Sequence, residues 1–173
     1  DLTRVVMETD MALHIVQAGN IRSSLKVIEL VEQKQCFDRL LTASDTPTGT
    51  GMMPLGTIKT LVEMCCLAKI EPERMLATST GNVAKVYGFN SGFLRPGKDA
   101  DVTIIDCAQG CVRPTALEGM SNGDIPAIAA VFSDGIPRFV KKSRNTPPPT
   151  RSLNITKNEI RAVFSDEHSH QCC

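Results

Sequence analysis

The sequence has no surplus of either charge: 19 Lys plus Arg balance 19 Asp plus Glu, giving a formal net charge of zero. A nucleic-acid surface needs a basic excess, so this balance argues against a polyanion-binding function. No apolar run approaches the ~20 residues that a helix needs to cross a bilayer, and no membrane partner is expected. The opening Asp1-Leu2-Thr3-Arg4 lacks the charge pattern and apolar core of a signal peptide, and no initiator Met precedes it. A processed or truncated start is therefore expected. Histidine is scarce, limited to His14, His168 and His170. Internal repeats are also lacking.

What is present reads as an ordinary folded chain, with 42% hydrophobic and 22% charged residues in 173. Seven cysteines occur, but an odd count with adjacent pairs, Cys65-Cys66 and Cys172-Cys173, does not form a disulfide framework. Cysteines so placed point to a reducing compartment, and a cytoplasmic protein is expected. Cys65-Cys66 sits in an apolar helical pattern and reads as core filling, because adjacent cysteines rarely meet disulfide geometry without strain.

Along the chain, Met11 to Gly19 is a short apolar run closed by glycine, which predicts a buried strand. Ser23 and Ser24 then cap a helical pattern through Leu25, Val27, Ile28, Leu30 and Val31. Arg39 to Ala43 predicts a second strand ending at Ser44-Asp45. After a Gly/Pro/Thr-rich loop, Leu55 to Ala68 returns to helical spacing. Strand, helix, strand, loop, helix is the order of a parallel sheet with crossover helices. Two such pairs cannot cover both faces of their sheet. In a barrel, the other strands would have to precede Asp1. Glu71-Pro72-Glu73 predicts a further helix running to Gly88, with proline in the first turn and acids at the positive end of the dipole. Beyond it, Phe93 to Asp106 predicts a turn and a strand, Pro114 to Met120 a short helix, and Ile128 to Val140 a hairpin around Asp134-Gly135. The tail is proline-rich at Pro147 to Pro149, then polar, and is expected to be extended and partly disordered from about Thr150.

Asp45 is the residue on which chemistry can be placed. Parallel α/β barrels build their catalytic face from strand ends and the loops that follow. A carboxylate there stands half-buried near metal or substrate, with its pKa open to tuning. The next segment, Thr46-Pro47-Thr48-Gly49-Thr50-Gly51, has little side-chain bulk and could let backbone approach a small substrate closely. The same aspartate could instead only cap the following turn, and Thr48, Gly49, Thr50 and Gly51 could form a plain barrel loop.

Ser44-Asp45-Thr46-Pro47, followed by Gly92-Phe93-Leu94-Arg95-Pro96-Gly97-Lys98-Asp99-Ala100-Asp101-Val102, resembles the C-terminal part of the metal-dependent amidohydrolase superfamily. Within it, the loop from Thr46 to Gly56, the run Gly81 to Gly88, Gly123-Asp124-Ile125-Pro126 and Lys142 to Pro148 look like the enamidases of nicotinate fermentation. The likeness covers roughly residues 1 to 150. It implies an α/β fold: the C-terminal strands and helices of a TIM-like (β/α)8 barrel at 1–88, part of a small β-sandwich at 89–146, and a tail at 147–173. It also implies metal-dependent hydrolysis of a cyclic amide or enamide C–N bond, the ring opening of a reduced oxo-nicotinate.

In that reading Asp45 is both a metal ligand and the proton shuttle between attacking hydroxide and leaving nitrogen. Thr48 to Gly51 line the substrate pocket. The cofactor is a divalent metal, zinc and/or iron, and the oligomer is a homotetramer. A bound metal lowers the pKa of water from 15.7 to about 7. The family's remaining ligands, mostly histidines on earlier strands, have no counterpart in this sequence. His14 lies inside an apolar strand and is expected to be a satisfied core residue. His168, His170, Cys172 and Cys173 have metal-like density in a polar tail, where incidental binding is the expected outcome. The chain alone is therefore expected to be inactive, its parent being the enzyme. The alternative is a non-catalytic truncated fragment or oligomerisation module.

Overall fold

The computed structural model describes residues 1–16, 19–45, 55–140, 146–151 and 153. It opens with a helix that the sequence pattern does not predict, α1 (Leu2–Glu8), capped by Asp1, whose Oδ1 accepts from the Thr3 N–H at 3.1 Å. The carbonyls at its far end are met from a distance. Lys34 Nζ donates to Val6 O, Met7 O and Thr9 O at 2.8–3.1 Å. Arg39 donates to Met11 O at 2.7 and 3.0 Å. Cations at a helix C-terminus satisfy orphan carbonyls and offset the dipole together.

Strand β1 (Leu13–Val16) and strand β2 (Leu40–Ala43) pair in parallel, with Leu13 opposite Leu40 and Val16 opposite Ala43. The crossover is α2 (Ile21–Lys34), as the spacing of its apolar residues predicts. Its cap is Asn20 and not Ser23 or Ser24. Asn20 keeps an extended backbone and its Oδ1 accepts from the Ser23 N–H at 3.1 Å, so the two serines lie inside the first turn.

After α3 (Gly56–Ala68), the single helix expected between Glu71 and Gly88 is two, α4 (Pro72–Ala77) and α5 (Gly81–Tyr87). The hydroxyls of Thr78, Ser79 and Thr80 bond back to Met75 O, Leu76 O and Leu76 O. Such hydroxyls compete with the helical ladder, and three in a row before Gly81 end it. Arg74 on α4 reaches back to Glu32 of α2 at 3.1 Å and lies 4.3 Å over the Phe37 ring.

The second half is a three-stranded antiparallel sheet in the order β3 (Val102–Asp106), β4 (Ala127–Ser133), β5 (Ile136–Val140). Asp134 and Gly135 take φ of 53° and 75° in the turn between β4 and β5, the left-handed pair that a two-residue hairpin needs. Helix α6 (Ala116–Asn122) packs on α3 and α4, and its Met120 is fully buried in the core of Val6, Ile28, Val31, Leu40, Met64 and Met75. The two halves thus share one hydrophobic core.

Two polar anchors complete this frame. Asn82, 5% exposed, donates from Nδ2 to Phe37 O at 2.9 Å and Leu40 O at 3.0 Å. Asp106, 4% exposed, accepts from Thr150 Oγ1 at 3.0 Å, Arg151 N at 2.8 Å, Arg151 Nε at 2.9 Å, and Arg151 Nη2. A bridge between Ala108 and Pro149 adds backbone pairing to this segment.

Replacing Asn82 by Ala leaves two carbonyls short of a donor and is expected to lower stability by about 2 kcal/mol, read as a lower denaturant midpoint at unchanged slope. Asp106 gives a pH signature. The Arg151 guanidinium, against the opposing effect of burial, holds its carboxyl well below the usual carboxylate range. A depressed folded-state pKa stabilises fully above the unfolded value of about 3.9 and is lost as pH falls from there through the folded value. The melting temperature of the wild type is therefore expected to drop more steeply than that of Asp106→Asn as pH is lowered below about 4.

Candidate functional site

Both parallel strands end at the same edge, with Val16 beside Ala43, and Asp45 follows two residues beyond β2. The carboxyl edge of a parallel sheet is where loops gather and ligands are bound in α/β folds. The outer edge of β2 is held along its length. Thr42 N–H donates to Thr78 O at 3.0 Å, and the two hydroxyls are 2.7 Å apart. Thr78 Oγ1 passes its own proton to Met75 O at 2.7 Å, so Thr42 must be the donor between the hydroxyls. Thr42 and Thr78 are both buried.

Asp45 itself is exposed and takes φ of 59°. Among the described residues, the other non-glycines with positive φ are Gln35, Lys69 and Asp134. The first two end helices, and Asp134 makes the hairpin. Asp45 instead follows a strand. Aspartate tolerates the left-handed region because its short carboxylate can bond locally. For aspartate this conformation is an ordinary one in turns, so the angle alone assigns no role.

Thr48, Gly49, Thr50 and Gly51 lie outside the described residues, as do His168, His170, Cys172 and Cys173. His14 is described, and it departs from expectation. Strand alternation sends Leu13 and Ile15 into the helical core and His14 to the opposite face. There its ring is exposed, 3.4 Å from the Tyr87 hydroxyl, with Tyr87 stacked on Phe89 at 5.7 Å. His14 pairs in register with Leu41, four positions before Asp45, so the two are at different levels of the strand pair.

Among the described residues, no group of three or more His, Cys, Asp or Glu could hold a metal ion. These residues alone do not fit a metal centre. Cys65 behaves as core filling: it is 1% exposed and burial pushes its thiol up to about 11. A cavity of about 430 Å³ opens between α3, the turn at 79–80 and β3, lined in part by Ile58, Leu61, Leu76, Phe93 and Val102. Asp45 and His14 are not among its lining residues.

Sequence reasoning missed the polar contacts after β3, where Cys107 and Cys111 both reach the Arg113 carbonyl, Cys111 meets Asp124, and Asp106 binds Arg151. The only available signal was two cysteines bracketing a turn. Among the described residues, no helix is long and apolar enough to cross a membrane.

No family model matches the chain. An enamidase from Eubacterium barkeri is 39% identical over 155 residues, which are 90% of this chain and 40% of that protein. An adenine deaminase from Brucella abortus is 22% identical over 98 residues, 56% of this chain and 17% of the relative. A crystal structure of enamidase, described there as a new member of the amidohydrolase superfamily, superposes with a TM-score of 0.83 and 40% identity, covering 86% of this chain and 38% of the other. The chain thus spans about two fifths of the length of the enamidases that it matches. With mixed α/β architecture and nearly its whole length aligned in both sequence and structure, the chain belongs to the amidohydrolase superfamily.

Proposed function

We propose that this chain supplies the Asp45-bearing part of an enzyme that hydrolyses a C–N bond in a cyclic amide or enamide. The observation that carries the reading is Asp45 in a left-handed conformation just past the carboxyl end of a parallel strand, in a chain 39% identical to an enamidase. In this reading β1, β2 and their helices are part of a (β/α)8 barrel, and the antiparallel sheet is part of the sandwich beside it. The substrate is a small ring of the reduced oxo-nicotinate type.

Hydrolysis needs a proton moved from the attacking water to the leaving nitrogen, and a carboxylate beside both can carry it. Asp45 takes the proton as the water oxygen bonds to the carbonyl carbon. It returns the proton to nitrogen as the C–N bond breaks, so the carboxylate is regenerated. The loop holding Thr48 to Gly51 would contact the ring. Metal dependence, on zinc or iron, belongs to the same reading, with Asp45 joined by ligands other than the described residues.

A second reading, a non-catalytic module, is favoured by one observation, the lack of a metal-binding cluster among the described residues. Two measurements separate them. In the longest natural polypeptide carrying this chain, Asp45→Asn is expected to lower kcat for ring opening by about 10²-fold or more, the scale of a lost acid–base group. Stability should stay within about 0.5 kcal/mol, since Asp45 is exposed. Wild-type turnover in that variant would remove Asp45 from the mechanism. Residues 1–173 alone are expected to show neither stoichiometric metal by mass spectrometry nor ring opening. Stoichiometric metal with turnover from them would show that the active site needs nothing more.

A further inference from the structure

We propose that Cys107 and Cys111 form a redox-active dithiol that closes to an intramolecular disulfide when the chain meets a low-molecular-weight disulfide. The two residues flank a tight turn closed by Cys111 N–H donating to Ala108 O at 3.0 Å. Both thiols converge on one acceptor, the Arg113 carbonyl oxygen, at 3.5 Å from Cys107 Sγ and 3.7 Å from Cys111 Sγ. Neither is in a disulfide, and they differ in access: Cys107 is 5% exposed and Cys111 is partly exposed.

That asymmetry assigns an order of events. Cys111 is the thiol that a small disulfide reaches first. Its Sγ lies 3.2 Å from Asp124 Oδ2, which is placed to accept the thiol proton. The Cys111 sulfur attacks one sulfur of the reagent, forming a mixed disulfide and releasing the first small thiolate, which takes up a proton. Cys107, deprotonated in turn, attacks Cys111 Sγ and expels the second small thiol. Two protein thiols are oxidised and one small disulfide is reduced to two thiols. The Arg113 N–H holds the Cys111 thiol down while burial and the Asp124 carboxylate push it up, and the upward effects prevail. Disfavouring the thiolate slows the first attack, which therefore quickens as pH rises.

The turn is also the seat of the C-terminal segment. Gln109 N–H donates to Pro148 O at 2.9 Å, and Thr150 N–H donates to Cys107 O at 3.0 Å. Closure of the pair therefore fixes the turn on which residues 148–151 rest. Gly119 permits the approach from α6, because a Cβ there would lie 3.1 Å from Cys111 Sγ.

The test is peptide mapping of the 173-residue chain after incubation with oxidised glutathione. The tryptic peptide 99–138 carries Cys107 and Cys111 and no other cysteine. The expected product is this peptide lighter by two hydrogens. A neighbouring thiol acts at millimolar or higher effective concentration, so the glutathione adduct should stay below about a tenth of the product. Cys107→Ser should stop at a stable adduct on Cys111, and Cys111→Ser should give no closed product. A wild-type peptide that carries stable single or double adducts, or remains fully reduced while other thiols of the chain react, would overturn the proposal.

Discussion

Strand β2 has backbone groups on the edge away from β1 that a two-stranded sheet leaves unpaired, and the way they are met organises the chain around it. Leu40 C=O and Thr42 N–H lie two residues apart and so face the same edge. Asn82 Nδ2 meets the first and Thr78 C=O the second. Buried backbone groups without partners are costly, so a segment that supplies both a donor and an acceptor to this edge is structurally obligatory. The same requirement accounts for the break between α4 and α5. Thr78 has to present its carbonyl sideways to β2, and a continuous helix would have kept that carbonyl on its own axis. With β1 on one edge and residues 78–82 on the other, the strand leading to Asp45 is held on both sides.

Long polar side chains do the same for other chain segments. Lys34 and Arg39 collect the carbonyls at the end of α1 and of the segment after it, which are far from them in sequence. Asp106 gathers the donors of Thr150 and Arg151. These contacts differ in kind from Arg4–Glu8 or Lys26–Glu29, which are exposed pairs within one helix and contribute little. The long-range ones place a charged group against backbone or against a buried partner, where removing one side leaves the other uncompensated.

What was legible in the sequence was what local pattern determines. The apolar runs at 11–19 and 39–43, the helical spacing of α2 and α3, and the Asp-Gly hairpin all follow from residues within a few positions of one another. The position of Asp45 was legible for the same reason, as an acid directly after a short apolar strand. The features that were missed depend on partners far away in sequence. Nothing local marks Thr78 as a bond acceptor for Thr42, or Arg151 as the partner of Asp106. His14 departs from expectation because an apolar strand need not be buried on both faces. The helical core covers one face of β1, and His14 stands on the other.

The two aspartates at or just past strand ends show why environment decides what a carboxylate can do. Asp106 ends β3, is buried, and receives donors from Thr150 and from the backbone and side chain of Arg151. Its pKa lies well below the ordinary range, so it holds its charge through neutral pH and gives up no proton capacity to a reaction. A proton shuttle has to change state twice in a turnover, and so committed a carboxylate would act as an anchor only. Asp45 also follows a strand, but it is exposed and lies at the carboxyl edge of a parallel pair. Its backbone is left-handed, with φ of 59°. A place at a strand end is thus common to both residues, and it is Asp45, exposed at the carboxyl edge of the parallel pair, that suits the proposed proton shuttle.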